Sequence, residues 1–229
     1  MPGWDGTGVV AQRRAGYWLA RLAPHAALER VVAGVLDDEE RAWYRELAAP
    51  ARGDRVLGRV AAKAAVRDWL GVAVPPAAIR IANDRAGRPW ARVPPGMPAP
   101  HISIAHHGPV GVAAAAAVPT GIDIEAIADR GPTFARLALT PAELDLGAHE
   151  DPAVWVTRLW TVKEAVAKAT GTGLGGRPQA VTVSEVDGPW SRAGHHRAHT
   201  SREGDLLVTV TVAGLTPGPH RTRCPRRRP

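Results

Sequence analysis

The sharpest alternation of apolar and polar positions in the chain is Gly121-Ile122-Asp123-Ile124-Glu125. A period of two predicts a strand with Ile122 and Ile124 on one face and both carboxylates on the other. From Trp160 to Lys168 the pattern changes to a helical one, in which a spacing of four aligns Trp160, Glu164 and Lys168. Asp151-Pro152 starts that helix and Gly171 ends it, while Thr140-Pro141-Ala142-Glu143 reads as a capping box with proline at the first helical position. In the N-terminal part, residues 54–70 (DRVLGRVAAKAAVRDWL) predict the principal helix, stopped by Gly71 and the Pro75-Pro76 pair. Asp37-Asp38-Glu39-Glu40 places acids at the start of a shorter helix running to about Leu47. Strands are expected over 17–22, 79–83, 101–108, 110–118, 180–186, 195–200 and 205–213, and residues 1–14 read as loose.

These elements fall into two parts with a loosely similar order, strands around one principal helix, over 15–118 and 119–215. No repeat is visible in the residues themselves. A basic Pro/Arg tail occupies 216–229 and reads as a solvated end.

Composition narrows the classes. With 229 residues and 45% hydrophobic content the chain can bury one good core or two small ones. No apolar run is long enough for a membrane span, and one cysteine, Cys224, fits a reducing cytoplasm. The formal charge of +7 suggests nucleic acid at first sight, but Arg221, Arg223, Arg226, Arg227 and Arg228 lie in the last nine residues and the body without them carries only +2. With no helix-turn-helix, zinc-finger or RNA-recognition pattern either, a nucleic-acid partner is not expected.

Two carboxylates on a strand facing a helical acid and lysine suit a hard cation and a phosphate, since Mg²⁺ takes carboxylate, water and phosphate oxygens. A partly exposed strand beside a salt-bridged helix would show the same spacing. Arg55, Arg59, Lys63 and Arg67 recur at four-residue intervals as a cationic stripe, which is either a solvated face or a phosphate contact. The histidine groups 101/106/107 and 195/196/199 lack the cysteines or spacing of a zinc site.

The pair GIDIE and WTVKEAVAKATGTGL, separated by 34 residues between Glu125 and Trp160, resembles the two-part signature of the 4′-phosphopantetheinyl transferases. The stretch LGRVAAKAAVRDWL resembles the corresponding helix of the surfactin-synthetase-type members. The resemblance covers about residues 36–186. It implies an α+β fold, a pseudo-dimer of two α+β halves with the active site in the cleft between them. The implied activity moves phosphopantetheine from coenzyme A to a serine of an apo acyl or peptidyl carrier protein, releasing adenosine 3′,5′-bisphosphate, for polyketide, peptide or fatty-acid synthesis. Asp123, Glu125 and Glu164 match the family's Mg²⁺ (or Mn²⁺) ligands. Asp123, Glu164 and Lys168 match its catalytic groups, and which carboxylate takes the serine proton is left open. Arg88 in Gly87-Arg88-Pro89 stands where the family carries a basic coenzyme contact. His106, Lys163, Lys168 and Arg55 complete the implied coenzyme A contacts. The family histidine aligns with His106, its preceding serine with Ala105 and its asparagine with Ser103, which removes one hydroxyl contact. A cytoplasmic monomer without membrane or nucleic-acid partners is expected. The competing reading is a catalytically silent carrier-binding module of the same fold.

Overall fold

In the computed structural model, which describes residues 8–24 and 26–213, the chain forms two antiparallel sheets and six α-helices among those residues. The first part runs β1 (Val9–Arg13), β2 (Trp18–Leu22), α1 (Leu28–Val35), α2 (Asp38–Glu46) and α3 (Ala49–Leu70). It continues with a 3-10 turn (Pro76–Ala78), β3 (Arg80–Asn83), β4 (Pro89–Arg92), β5 (His101–His107) and β6 (Val110–Ala116). The second runs β7 (Thr120–Ala126), α4 (Gly131–Ala138), α5 (Pro141–Leu146), α6 (Pro152–Thr170) and a 3-10 turn (Pro178–Ala180). It ends with β8 (Val183–Asp187), β9 (Trp190–Ala193), β10 (His196–Glu203) and β11 (Leu206–Ala213).

The strand orders are β1-β2-β6-β5-β4-β3 and β7-β11-β10-β9-β8. Leaving out β1, each sheet has the same order, and each is covered on one face by its long helix. The α+β class read from the sequence holds. Alternation sorts the side chains between layers. Leu19, Val110 and Val112 of the first sheet meet Ile122, Ile124, Val208 and Val210 of the second in one buried cluster. Ala20 and Ala113, pointing the other way, pack with Val56, Leu57 and Val60 of α3. Glycine permits the closest approaches. A Cβ on Gly111 would lie 2.3 Å from the Leu57 carbonyl carbon, and one on Gly121 would lie 1.8 Å from the Ala165 carbonyl oxygen. Each long helix therefore presses directly on sheet backbone.

The two parts are also joined by polar groups. Ser103 on β5 accepts the Ile122 N–H of β7 at 3.0 Å. Arg14 and Tyr17, in and after the β1–β2 turn, both hydrogen-bond Glu203 at the end of β10.

Several sequence expectations change. Residues 9–13, read as loose, form an edge strand, and α3 begins at Ala49 rather than 54, with Pro50 in its first turn. The stripe on α3 is divided: Arg55 is exposed and Arg67 partly buried, but the two cations between them are not solvated. Every residue from Val56 to Val66 is buried, including Arg59 at 7% exposure and Lys63 at 0%. Arg59 packs its guanidinium 3.6 Å above the Trp43 ring, and Lys63 is ion-paired with Glu40. Covered on all sides, the helix leaves these cations no water, so they find carboxylate and carbonyl partners instead. The tail over 216–229 and Cys224 lie outside the described residues.

Candidate active site

β7 delivers Asp123 and Glu125 to one face, opposite Thr209 and Leu207 of β11, while Ile122 and Ile124 anchor the strand in the inter-sheet cluster. α6, capped by Asp151 at its start and by left-handed Gly171 at its end, crosses that face. Lys168 donates to Asp123 Oδ1 at 2.7 Å and to the Ile122 carbonyl at 3.1 Å. The other carboxylate oxygen of Asp123, Oδ2, is buried with no hydrogen-bond partner among the described residues. Burial pushes the Asp123 carboxyl up from 3.8 to about 6. Lys168 opposes the shift, and the charges of Glu125 and Glu164 add to it. Glu164 is also raised, chiefly by burial.

Glu125 is held by two donors that the sequence did not announce. Trp160 Nε1 reaches Oε1 at 3.2 Å and Arg130 reaches Oε2 at 2.9 Å. Phe134 meets the Trp160 ring edge-on at 5.2 Å, and Arg130 lies 5.4 Å from the Phe134 ring. The tryptophan of the helical stretch thus orients a strand carboxylate. Nothing in the spacing of Arg130, five residues beyond Glu125 in a loop, signals its part.

Two adjoining pockets flank Lys168. One, of about 300 Å³, is lined by Asp123, Glu125, Lys168, His106, Arg55 and Trp43, among others. The second, of about 500 Å³, includes Glu164, Lys168, Arg88 and Trp90. Residues of both parts of the chain line each pocket. Asp123 and Glu125 thus face one pocket and Glu164 the other, with Lys168 as the ridge between them. Among the described residues no set of three or more histidine, cysteine, aspartate or glutamate side chains is gathered closely enough to hold a metal as it stands. The donor chemistry nevertheless suits a hard divalent cation: all oxygen, with one buried carboxylate oxygen unsatisfied.

The coenzyme contacts implied by resemblance separate. His106 lies half-buried in the first pocket, its pKa lowered by burial and by Arg55 and Lys168. Arg55 is exposed beside it. Arg88, exposed on the β3–β4 turn, sets its guanidinium against the end of α6, where a Cβ on Gly171 would come within 2.7 Å of it. A cation there complements the helix C-terminus. Lys163 is corrected. It reaches neither pocket, because its side chain is wholly buried and bonded to Glu143 at 2.8 Å and the Pro178 carbonyl at 3.2 Å. Ser103, by contrast, lines the second pocket while its oxygen accepts the Ile122 N–H of β7.

No curated protein sequence matches the chain. Among solved structures, the holo-[acyl-carrier-protein] synthase (AcpS) of Neisseria meningitidis is 24% identical with a TM-score of 0.36, over 42% of this chain and 97% of that one. The family model described as the 4′-phosphopantetheinyl transferase superfamily matches residues 119–211, the part holding β7, α6 and the carboxylates. The resemblance read in the two-part signature is therefore to the 4′-phosphopantetheinyl transferase superfamily, and residues 119–211 carry its match.

Proposed function

We propose that this chain transfers 4′-phosphopantetheine from coenzyme A to a serine of an apo acyl or peptidyl carrier protein, acting as a cytoplasmic monomer. The observation that carries the reading is the Asp123–Lys168 pair at the junction of two pockets, with Glu125 and Glu164 on either side, inside the family-matched segment. In this reading the halves 15–118 and 119–215 form a pseudo-dimer and the pockets are its active-site cleft. The similar strand orders and the mixed lining of both pockets support it.

The serine oxygen forms a bond to the β-phosphorus of coenzyme A while the bond to the bridging oxygen breaks. Adenosine 3′,5′-bisphosphate leaves with that electron pair. Such a transfer depends on positioning and charge stabilisation more than on covalent participation by the protein. Glu164 takes the serine proton: no hydrogen bond or ion pair among the described residues occupies it, whereas Asp123 holds Lys168 and Glu125 holds Arg130. Its raised pKa makes it a better acceptor than an ordinary glutamate. Lys168 meets the negative charge that develops on the departing oxygen. Asp123 and Glu125, which share the first pocket, would hold Mg²⁺, which supplies positive charge to the diphosphate when bound, and Glu164 in the second pocket stays free as the base. His106 and Arg55 hold coenzyme phosphate in the first pocket. Arg88, a guanidinium that grips phosphate bidentately, holds the 3′-phosphate.

Incubating the protein with coenzyme A, Mg²⁺ and a panel of apo carrier proteins, then weighing the carriers, tests the reading. A mass gain of one phosphopantetheine on a carrier serine is expected. A protein that binds carriers tightly and modifies none would instead be the silent module, against which the retained acids and Lys168 already speak.

A further inference from the structure

Lys163 sits beside Glu164 in α6, yet its ammonium points away from both pockets. Its partner Glu143 closes the capping box of α5 by accepting the Thr140 N–H at 2.7 Å, and its other oxygen accepts the Val183 N–H at the start of β8 at 2.7 Å. With the Lys163 bonds to Glu143 and Pro178, one buried pair ties together α5, α6, a 3-10 turn and β8. Both side chains are 0% exposed.

The same joint occurs in the first part of the chain. Glu40 closes the capping box of α2 by accepting the Asp37 N–H at 3.1 Å, and its other oxygen accepts the Ile81 N–H of β3 at 3.1 Å. Lys63 of α3 is ion-paired with Glu40 and donates to the Pro76 carbonyl at 3.2 Å. Glutamate at the third helical position, lysine on the long helix, proline carbonyl in a 3-10 turn and a strand N–H correspond one for one. The residues beyond the lysine differ. After Lys163 come Glu164 and Lys168; in the same places after Lys63 stand Ala64 and Asp68. The joint also exists in the part that lacks the acids and Lys168, where its Glu40 additionally accepts Arg59, a residue of the first pocket, so it is a device of the frame.

Its geometry matters to the site because a helix turns about 100° per residue. Fixing Lys163 toward Glu143 fixes Glu164 about 100° round the axis and Lys168 about 40° beyond it. Ala165 is already in contact with Gly121 on the other side, which sets how deeply α6 sits. An apolar contact would tolerate rotation or sliding, whereas an ammonium bonded to a carboxylate and a carbonyl has directional requirements. We infer that Lys163 and Glu143 are positioning residues, a latch that sets the rotation of α6 so that Glu164 and Lys168 face the pockets, and that Lys63 and Glu40 are its counterpart on α3, which brings Arg55 and Arg59 to the first pocket but none of the reacting groups. The inference rests on the transferase reading above.

The matched variants are Lys163→Met and Lys63→Met, with Glu143→Gln as a milder break of the same latch and Lys163→Arg as a rescue. Thermal melting, kcat and the KM for coenzyme A are measured on each with a carrier that the parent protein modifies. Both methionine variants should lose melting temperature to a similar extent. Lys163→Met should lose about 10²-fold in kcat, the effect of a small misplacement of catalytic groups, with little change in KM. Lys63→Met should keep kcat near that of the parent, any effect falling on the KM for coenzyme A through Arg55, and Lys163→Arg should recover part of the loss. Where Lys163→Met does not fold, Glu143→Gln must show the same kcat-selective loss. The inference is overturned by a folded Lys163→Met or Glu143→Gln protein with unchanged kcat. A rise in KM alone would return Lys163 to a phosphate contact, and an equal kcat loss in Lys63→Met would reduce the effect to general stability. A parent protein inert on every carrier sinks the transferase reading instead.

Discussion

Replacing Asp123 by asparagine should stabilise the metal-free protein while abolishing transfer. The carboxyl is buried and its pKa is pushed from 3.8 to about 6 despite the ion pair with Lys168. A rise of about two units corresponds to roughly 3 kcal/mol of destabilisation of the ionised form by folding. Asparagine keeps an oxygen for Lys168 and removes the charge. Its amide N–H groups fall where Oδ2 has no partner, which returns about 1 kcal/mol and leaves a net gain of ~2. The sign follows from the direction of the shift. With the folded pKa above the unfolded one, the aspartate adds no penalty below pH 3.8, and the penalty grows until the pH passes about 6. Urea denaturation in the presence of a chelator, at a pH below 4 and again near 8, should therefore show no gain for Asp123→Asn in acid and the full gain in base. A variant less stable than the parent in base, or one that gains equally at both pH values, refutes the reasoning.

Lys168→Ala should lower kcat by about 10²-fold or more, as removal of single transition-state donors does, while raising the KM for coenzyme A far less. An unchanged kcat would return Lys168 to the status of a surface lysine paired with Asp123. Gly121→Ala forces a methyl group onto the Ala165 carbonyl and should lower stability by about 1–3 kcal/mol or more, read as a lower urea midpoint at constant slope. Parent-like stability would mean that α6 is free to lift from β7. Arg88→Ala should weaken the use of coenzyme A by about 10- to 150-fold and barely affect 3′-dephospho-coenzyme A, since a hydrogen bond to a charged group contributes roughly 1.5–3 kcal/mol. Equal losses on the two donors, compared through kcat/KM, would remove Arg88 from the 3′-phosphate.

Much of the frame was legible where local signals were strong. The strand at 121–125 followed from alternation, and α5 and α6 from their caps, because those patterns constrain backbone and burial together. The misses have particular causes. α1 begins after Ala27, which offers no side-chain cap, so no start signal exists in the residues. β9 is four residues long, and β1 pairs along one edge only. Gly53 and Pro50 made the first turns of α3 look like a loop, although proline is well tolerated there. At the site, the face shared by Asp123 and Glu125 was legible, but the burial of Lys163 and Lys63 was not. Spacing says which side of a helix a lysine leaves from. It cannot say whether the long apolar stem carries the ammonium to water or to a carboxylate brought by another element. Arg130 on Glu125 is a loop contact and left no periodic trace.

The two latches bear on where the chemistry resides. A buried ion pair is weak evidence for stability, since a well-packed apolar pair often does as well, and breaking it is severe because it strands a charge. Its presence at both corresponding positions is better explained by what it specifies, the rotation of a long helix against strand and turn. In the first part that specification faces Ala64 and Asp68, and Asp68 is spent on Arg13 at 3.0 Å. In the second it faces Glu164 and Lys168, beside the orphaned oxygen of Asp123. The frame alone therefore does not select an active site. The second part is distinguished by its strand β7, which brings two acids to the helix-facing side, whereas the corresponding strand of the first sheet, β2, gives Ala20 to the core beneath α3. An acid introduced at Ala20 would meet the apolar packing of Val56, Leu57 and Val60 rather than a pocket, so grafting the signature onto the first part should cost stability and produce no second centre. Chemistry in this fold requires the latch and the polar seam together, and among the described residues only 119–211 hold both.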